Sequence, residues 1–195
     1  MMPDVSFIVT SDRPNHLRHL IACLRLQSNA NWELIVLDQT PRAACVEPVK
    51  EVEALGETRV FWEAVPRIGD VGQSMKMAYT RFARGEFICV PMDDAYYMPS
   101  FIDQMLWAAR AHNYDLVYCD WLWNAADQTT PYRHVPVRPA FGWIDVGGFL
   151  VKREALLADG WGYTGEGGDG VLVERLAAKV NHGAVPNHHI LYVKN

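Results

Sequence analysis

No stretch of this sequence approaches the roughly 20 consecutive apolar residues that a membrane-spanning helix needs. The chain opens directly into a β-rich run, without the basic-then-apolar pattern of a secretory leader. A cytoplasmic protein is therefore expected, free or peripheral to the inner membrane face. Basic residues are not in excess either: 18 Lys and Arg against 23 Asp and Glu give a net charge of −5. Without a basic footprint, nucleic acid is not an expected partner. Cysteine is sparse, and Cys23, Cys45, Cys89 and Cys119 lie far apart with no CxxC pair. Three of them sit in apolar runs, which points to buried thiols rather than disulfides or zinc ligands. Walker A, GxSxG and HExxH signatures are absent. So are internal repeats, low-complexity tracts and linkers, and a single domain over residues 1–195 is the expectation.

Strand-like apolar runs alternate with helical periods. "VSFIVT" (Val5 to Thr10) is closed by the breaker "SDRPN", and Leu17, Leu20, Ile21 and Leu24 then share one helical face. "ELIVLD" and "TRVFWEAV" read as the next two strands, with a segment between them (42–55) that Pro48 interrupts. Gly69 and Gly72 precede a helix over about 73–83. "EFICV", a helix begun by Pro99, and "DLVYCDW" follow, then a strand and helix in "GGFLVKREALLADG". A helix from "GDGVLVERL" and a last strand "HHILYV" complete the pattern. Such βαβα alternation implies a mostly parallel mixed sheet flanked by helices. The stretch from Asn124 to Trp143 breaks it, with three prolines and no period. A loop of that length is expected to be functional or mobile.

Asp12, Asp38, Asp93, Asp94 and Asp120 all fall at or just past the ends of predicted strands. Aspartate is a common turn residue, so any one of them is explained by that alone. Five on one edge are a different matter, because open α/β sheets bind ligands outside the carboxyl ends of their strands. Adjacent carboxylates such as Asp93 and Asp94 repel, and solvent, a basic partner or a bound cation must offset that. Mg²⁺ uses one or two carboxylates plus substrate phosphates, which this edge would allow. Capping of the following turn and helix is the alternative use of the pair. A literal GxGxxG occurs at Gly165 to Gly170. It follows no first strand and has His188 and His189 where a ribose-binding acid belongs, so it is not a dinucleotide site.

Four motifs in order carry a resemblance over nearly the whole chain. They are "VSFIVTSDRPNHLRHLIACLRLQSNANWELIVLD", "ARGEFICVPMDDAYYMPSFI", "GGFLVKREALLADGW" and "GDGVLVERL". Together they resemble the nucleotide-sugar-dependent glycosyltransferases of family 2. The resemblance implies a GT-A fold, α/β and Rossmann-like, with a nucleotide-binding half over about 1–98 and an acceptor-side half over about 99–195. It implies a UDP- or GDP-sugar donor, held by Thr10, Asp12, Asp38, Lys76 and Asp93. The acceptor would be a glycan, a lipid-linked glycan or a small molecule. A divalent cation, Mn²⁺ or Mg²⁺, is implied at Asp94 with or without Asp93, and His188 or His189 is a candidate third ligand. Asp38 is expected to recognise the nucleoside. Asp169 is implied as the general base, with Glu166 as its rival and N-capping as its alternative role. Tyr96 and Tyr97 are candidates for packing on the donor, and Trp121, Trp123, Trp143 and Trp161 for stacking on the acceptor, core packing being the other use of each. Direct attack by an acceptor hydroxyl would invert the anomeric carbon.

The sequence departs from the family pattern at four places, one of them Lys76, which falls roughly where the family often has an Arg near the nucleotide. Met92 stands where the first acid of the DxD motif belongs, Gln39 replaces the second acid after the second strand, and Gly168 replaces the Glu of an E-D pair. Two other classes fit parts of the pattern. A catalytically weak or inactive GT-A domain would serve as a binding module. A nucleotidyltransferase would use the same acids, although "SDRPN" is poor in the glycine and basic residues that hold a triphosphate.

Overall fold

The structure is a computed structural model that describes residues 2–70, 72–124, 131–160 and 168–194. In chain order the strands and helices are β1 (Val5–Ser11), α1 (Pro14–Arg25), β2 (Trp32–Asp38), α2 (Val46–Glu53), β3 (Val60–Ala64) and α3 (Gln73–Thr80). Next come β4 (Phe87–Cys89), β5 (Ala95–Tyr97), α4 (Phe101–His112), β6 (Leu116–Tyr118), β7 (Asp120–Trp123) and β8 (Arg133–Val135). Last are β9 (Phe149–Lys152), α5 (Arg153–Asp159), α6 (Gly168–Ala177), β10 (His182–Ala184) and β11 (Ile190–Lys194).

Seven strands form the main sheet in the order β10-β6-β9-β4-β1-β2-β3. All pairs are parallel except the two made by β9, which runs antiparallel to both β4 and β6. This is the mostly parallel mixed sheet that the alternating pattern implies. Every residue of β1 is buried, because β2 and β4 flank it and helices cover both faces. Period-two alternation sorts neighbouring residues between two apolar layers. Phe7, Val9, Leu34 and Val36 pack with α1 and α4, while Ile8, Leu37, Ile88 and Val90 pack with α5 and α6.

Pro48 does not interrupt α2. It is the third residue of that helix, where a backbone N–H would have no intrahelical partner to lose. "DLVYCDW" divides at Cys119, with β6 staying in the main sheet and β7 entering a second sheet of order β5-β11-β7-β8. Its four strands were legible only in part, since β5 is three residues long and β8 lies inside the stretch expected to be a loop. The described part of that stretch pairs β8 antiparallel to β7, from Val135 opposite Trp121 to Arg133 opposite Trp123. Cys45, Cys89 and Cys119 are buried free thiols, and burial pushes Cys45 up to about 11 and Cys89 up to about 12. Among the described residues no helix is long and apolar enough to cross a membrane.

Candidate active site

The carboxyl ends of β1 and β4 bring two segments together, Thr10 to Arg13 and Met92 to Asp94. Between them and the glycine loop ahead of α3 lies a cavity of about 440 Å³. Thr10, Asp12, Arg13, Arg67, Gly72 and Asp93 are among its lining residues. That volume is within the usual range for a small-molecule site, ~300–1,000 Å³. The loop is built for close approach. Gly72 has φ +76°, and a Cβ placed there would lie 2.3 Å from Thr10 Oγ1, so only glycine fits. Asp70 fixes the turn by accepting hydrogen bonds from Gly72 N at 3.0 Å and Ser74 N at 2.8 Å.

Asp93 is 2% exposed and fully engaged. Its Oδ2 accepts from Ser11 Oγ at 2.6 Å and Arg13 Nε at 3.2 Å, and its Oδ1 meets Arg13 Nη2. The same Nη2 lies 3.3 Å from Asp94 Oδ2. A basic partner therefore offsets the repulsion of the paired acids, and it comes from the "SDRPN" breaker itself. Burial is the largest single influence on the Arg13 charge and opposes it, but the bonds to and charges of Asp93 and Asp94 together outweigh it, and the guanidinium is held above its ordinary pKa. Asp94 Oδ1, by contrast, is buried and accepts no hydrogen bond among the described residues. His16, in the first turn of α1, completes a group with Asp93 and Asp94 whose ligand atoms lie within 4.8 Å of one another. An orphaned carboxylate oxygen beside an imidazole is a donor set that fits a divalent cation. Sequence reasoning missed His16. Its place three residues after Arg13 on the first turn of α1 was the available signal.

Several expected site residues are used otherwise. Asp38 is 1% exposed and both its oxygens are filled. Oδ1 accepts from Thr40 N at 2.8 Å and Thr40 Oγ1 at 2.7 Å, while Oδ2 accepts from Cys45 N and Trp62 Nε1, each at 3.0 Å. It organises the β2–α2 connection and has no acceptor left for a nucleoside. Lys76 is also not at the cavity. It is 1% exposed beneath Met92, with Nζ 3.4 Å from Val90 O and 3.5 Å from Met92 Sδ. Burial drives that amine down to about 8, against the pull of Asp145 and Asp93. His188 is no partner of Asp93 and Asp94. Its Nδ1 lies 3.1 Å from Asp120 Oδ2, which His134 Nε2 also meets at 2.7 Å, while Val137 N donates to Oδ1 at 2.9 Å. Asp120 thus fastens β8 and the turn before β11 to β7. His189 meets Gln104 instead. Asp12 and Thr10 do line the cavity, Asp12 paired with Arg67 at 2.9 Å.

A second acidic centre comes from α6 and the small sheet. Asp169 is the second residue of α6, inside its first turn rather than at a cap before it. Burial and the nearby Asp145 raise its carboxyl, opposed by the Gly170 N–H and by Lys194. Asp145 is 2% exposed and was not foreseen, although "DVGG" at a strand entrance was a usable signal. Burial opposes the charge of Lys194, but its bond to Asp145 and the charge there, with smaller pulls from Asp169 and Asp94, together hold its amine above the ordinary value. Tyr97 and Trp121 belong to the core, whereas Trp123 and Trp143 are partly exposed. Tyr96 packs on His19, with ring centroids 6.1 Å apart. Glu166 and Trp161 lie outside the described residues.

The sequence profile of "Glycosyl transferase family 2" matches residues 7–157, from β1 to α5 and more than half of the chain. The chain belongs to that family. Solved structures give the same architecture. Residues 1–349 of S. aureus TarS in complex with UDP match with a TM-score of 0.77 at 11% identity, over 97% of this chain and 60% of that one. The same protein in complex with UDP-GlcNAc matches with a TM-score of 0.72 at 11% identity, over 97% of this chain and 58% of that one. The mannosyltransferase PcManGT from Pyrobaculum calidifontis, in complex with GDP-Man and Mn²⁺, matches with a TM-score of 0.73 at 15% identity, over 100% and 57%. At such identities the likeness establishes the fold, which is the GT-A fold. The chain spans less than two thirds of the length of these relatives. The family match ends before α6, so it does not reach Asp169.

Proposed function

We propose that this family 2 protein transfers a sugar from a nucleotide diphosphate sugar to an acceptor hydroxyl, with inversion at the anomeric carbon. The observation that carries the reading is the buried, unpartnered Asp94 Oδ1, in one ligand group with His16 and with Asp93, which lines the cavity of about 440 Å³. Asp94, Asp93 and His16 would hold a divalent cation, Mn²⁺ or Mg²⁺, which supplies Lewis-acid stabilisation of the departing diphosphate when bound. The glycine loop and Thr10 receive the nucleotide side of the donor, so residues 1–98 form the donor half and 99–195 the acceptor half. UDP or GDP is the expected nucleotide, since the structural relatives are complexes with UDP, UDP-GlcNAc and GDP-Man. Asp169 takes the proton of the attacking hydroxyl. A carboxyl raised by burial is a stronger base than a solvated one, and Lys194, which feels the charges of both Asp169 and Asp94, links it electrostatically to the cation site. The acceptor is a glycan, a lipid-linked glycan or a small molecule, and partly exposed Trp143 offers an aromatic face to it.

Incubation with UDP- and GDP-sugars and Mn²⁺ tests this, read as slow donor hydrolysis and as nucleotide binding by calorimetry. Turnover that chelator and Asp94→Asn both abolish is expected. Binding without any turnover would instead favour the binding-module reading, which Met92 at the first acid position supports.

A further inference from the structure

A guanidinium already sits where the two carboxylates of the cation site converge. Arg13 Nη2 contacts Asp93 Oδ1 and lies 3.3 Å from Asp94 Oδ2. We propose that Arg13 is a resident cation of this site, displaced when a divalent ion binds and then free to grip the donor diphosphate. The second half rests on the transferase reading; the exchange itself does not.

A divalent ion on both carboxylates would stand ~2.0–2.6 Å from their oxygens. No guanidinium nitrogen could then keep its place between the same two groups, and like charge would drive it off. The charge balance favours the exchange. One guanidinium offsets one of two adjacent acids and leaves Asp94 Oδ1 buried and unpartnered, whereas a divalent ion offsets both. Asp93 is not stripped bare when Arg13 leaves, because Ser11 Oγ still donates to it at 2.6 Å.

Arg13 has somewhere to go. Its side chain is 41% exposed, so it moves without opening the core, and it lines the cavity with Asp12, Arg67 and Gly72. Its backbone is the N-cap of α1 and is followed by Pro14, which fixes the entry to the helix while the side chain swings. The planar fork that grips a carboxylate fits two phosphate oxygens equally well. Cation and diphosphate binding are then coupled, and each must raise the affinity for the other.

The test is a titration of the full chain with Mn²⁺ alone, read from the free-ion signal in electron paramagnetic resonance. Arg13→Gln should bind Mn²⁺ about tenfold or more tightly than the wild type, and Arg13→Lys should fall between them. Each tenfold corresponds to about 1.4 kcal/mol of relieved competition. With Mn²⁺ saturating, Arg13→Gln should bind UDP or GDP about tenfold more weakly, reversing the order of the two proteins. A gain in metal affinity cannot arise from misfolding, so the variant reports on the exchange even if it is less stable. Unchanged or weaker Mn²⁺ binding by Arg13→Gln overturns the exchange. If the wild type with Mn²⁺ binds neither nucleotide, the transferase reading and the diphosphate role fall, while the metal titration still decides the exchange.

Discussion

Tyr192 Oη donates a 2.6 Å hydrogen bond to Asp145 Oδ1, joining the last strand to the loop ahead of β9. Gly147 N donates to the same oxygen at 3.1 Å, and Lys194 meets the other one. Gly147 must stay glycine here, because a Cβ would lie 2.8 Å from the Tyr192 ring. A buried charge supplied in this way is stable, and it anchors the ammonium of Lys194 within the field of Asp169 and Asp94. Two halves of the chain thereby converge on one electrostatic centre.

That arrangement predicts a shift in pH dependence. Lys194 favours the charged form of Asp169, so its removal raises the Asp169 pKa further. Lys194→Met should move the acid limb of the turnover profile to higher pH. Tyr192→Phe should leave the limb in place and cost about 1.5–3 kcal/mol of stability in urea unfolding, the range for a hydrogen bond to a charged group. An unmoved limb in Lys194→Met would mean that Lys194 serves only Asp145.

Asp38 gives a second prediction, opposite to the role its position suggests. Asp38→Ala strands the Thr40 and Cys45 amides and the Trp62 indole N–H, so it should destabilise the fold by about 2–5 kcal/mol. The folded fraction should bind UDP and UMP as the wild type does. Unchanged stability with lost affinity for both nucleotides would restore Asp38 to the nucleoside.

The contrast between Asp38 and Asp94 shows how far the sequence could be read. Strand ends, the helix over α1 and the sheet class follow from periodicity and breakers, which are local. Five acids on one edge were equally visible, yet their roles depend on what each carboxylate meets. Asp38 meets amides of its own loop, Asp120 meets two histidines from distant segments, and Asp94 keeps an oxygen free. Arg13 was visible in the breaker "SDRPN", but its contact with Asp93 spans 80 residues of sequence. No spacing rule carries that information. The second sheet was hard to read for the same reason, since β5 and β8 are three residues each and are defined only by their partners.

Asp169 makes the prediction that most directly joins stability to chemistry. Burial and Asp145 raise its folded pKa above the ordinary 3.8. The unfolded chain therefore loses this proton first as pH rises, and the folded chain holds it longer. The stability this proton provides is fully present below the unfolded pKa and is lost as pH climbs through the folded one. Above that window the wild type carries a buried charge at a cost. Asp169→Asn carries none, so its urea midpoint should exceed the wild type's at pH 7, and the two should coincide near pH 3. If Asp169 is the base, the same variant should lose about 10²-fold or more in turnover with nucleotide binding unchanged. A variant less stable at pH 7 would show that the charge supports the first turn of α6 more than burial opposes it. Retained turnover would move the base elsewhere, and Glu166→Gln is then the variant to assay. A gain in stability together with a loss of turnover is the signature of a carboxylate kept charged at a cost for its chemistry, and a purely structural acid at this position cannot produce both.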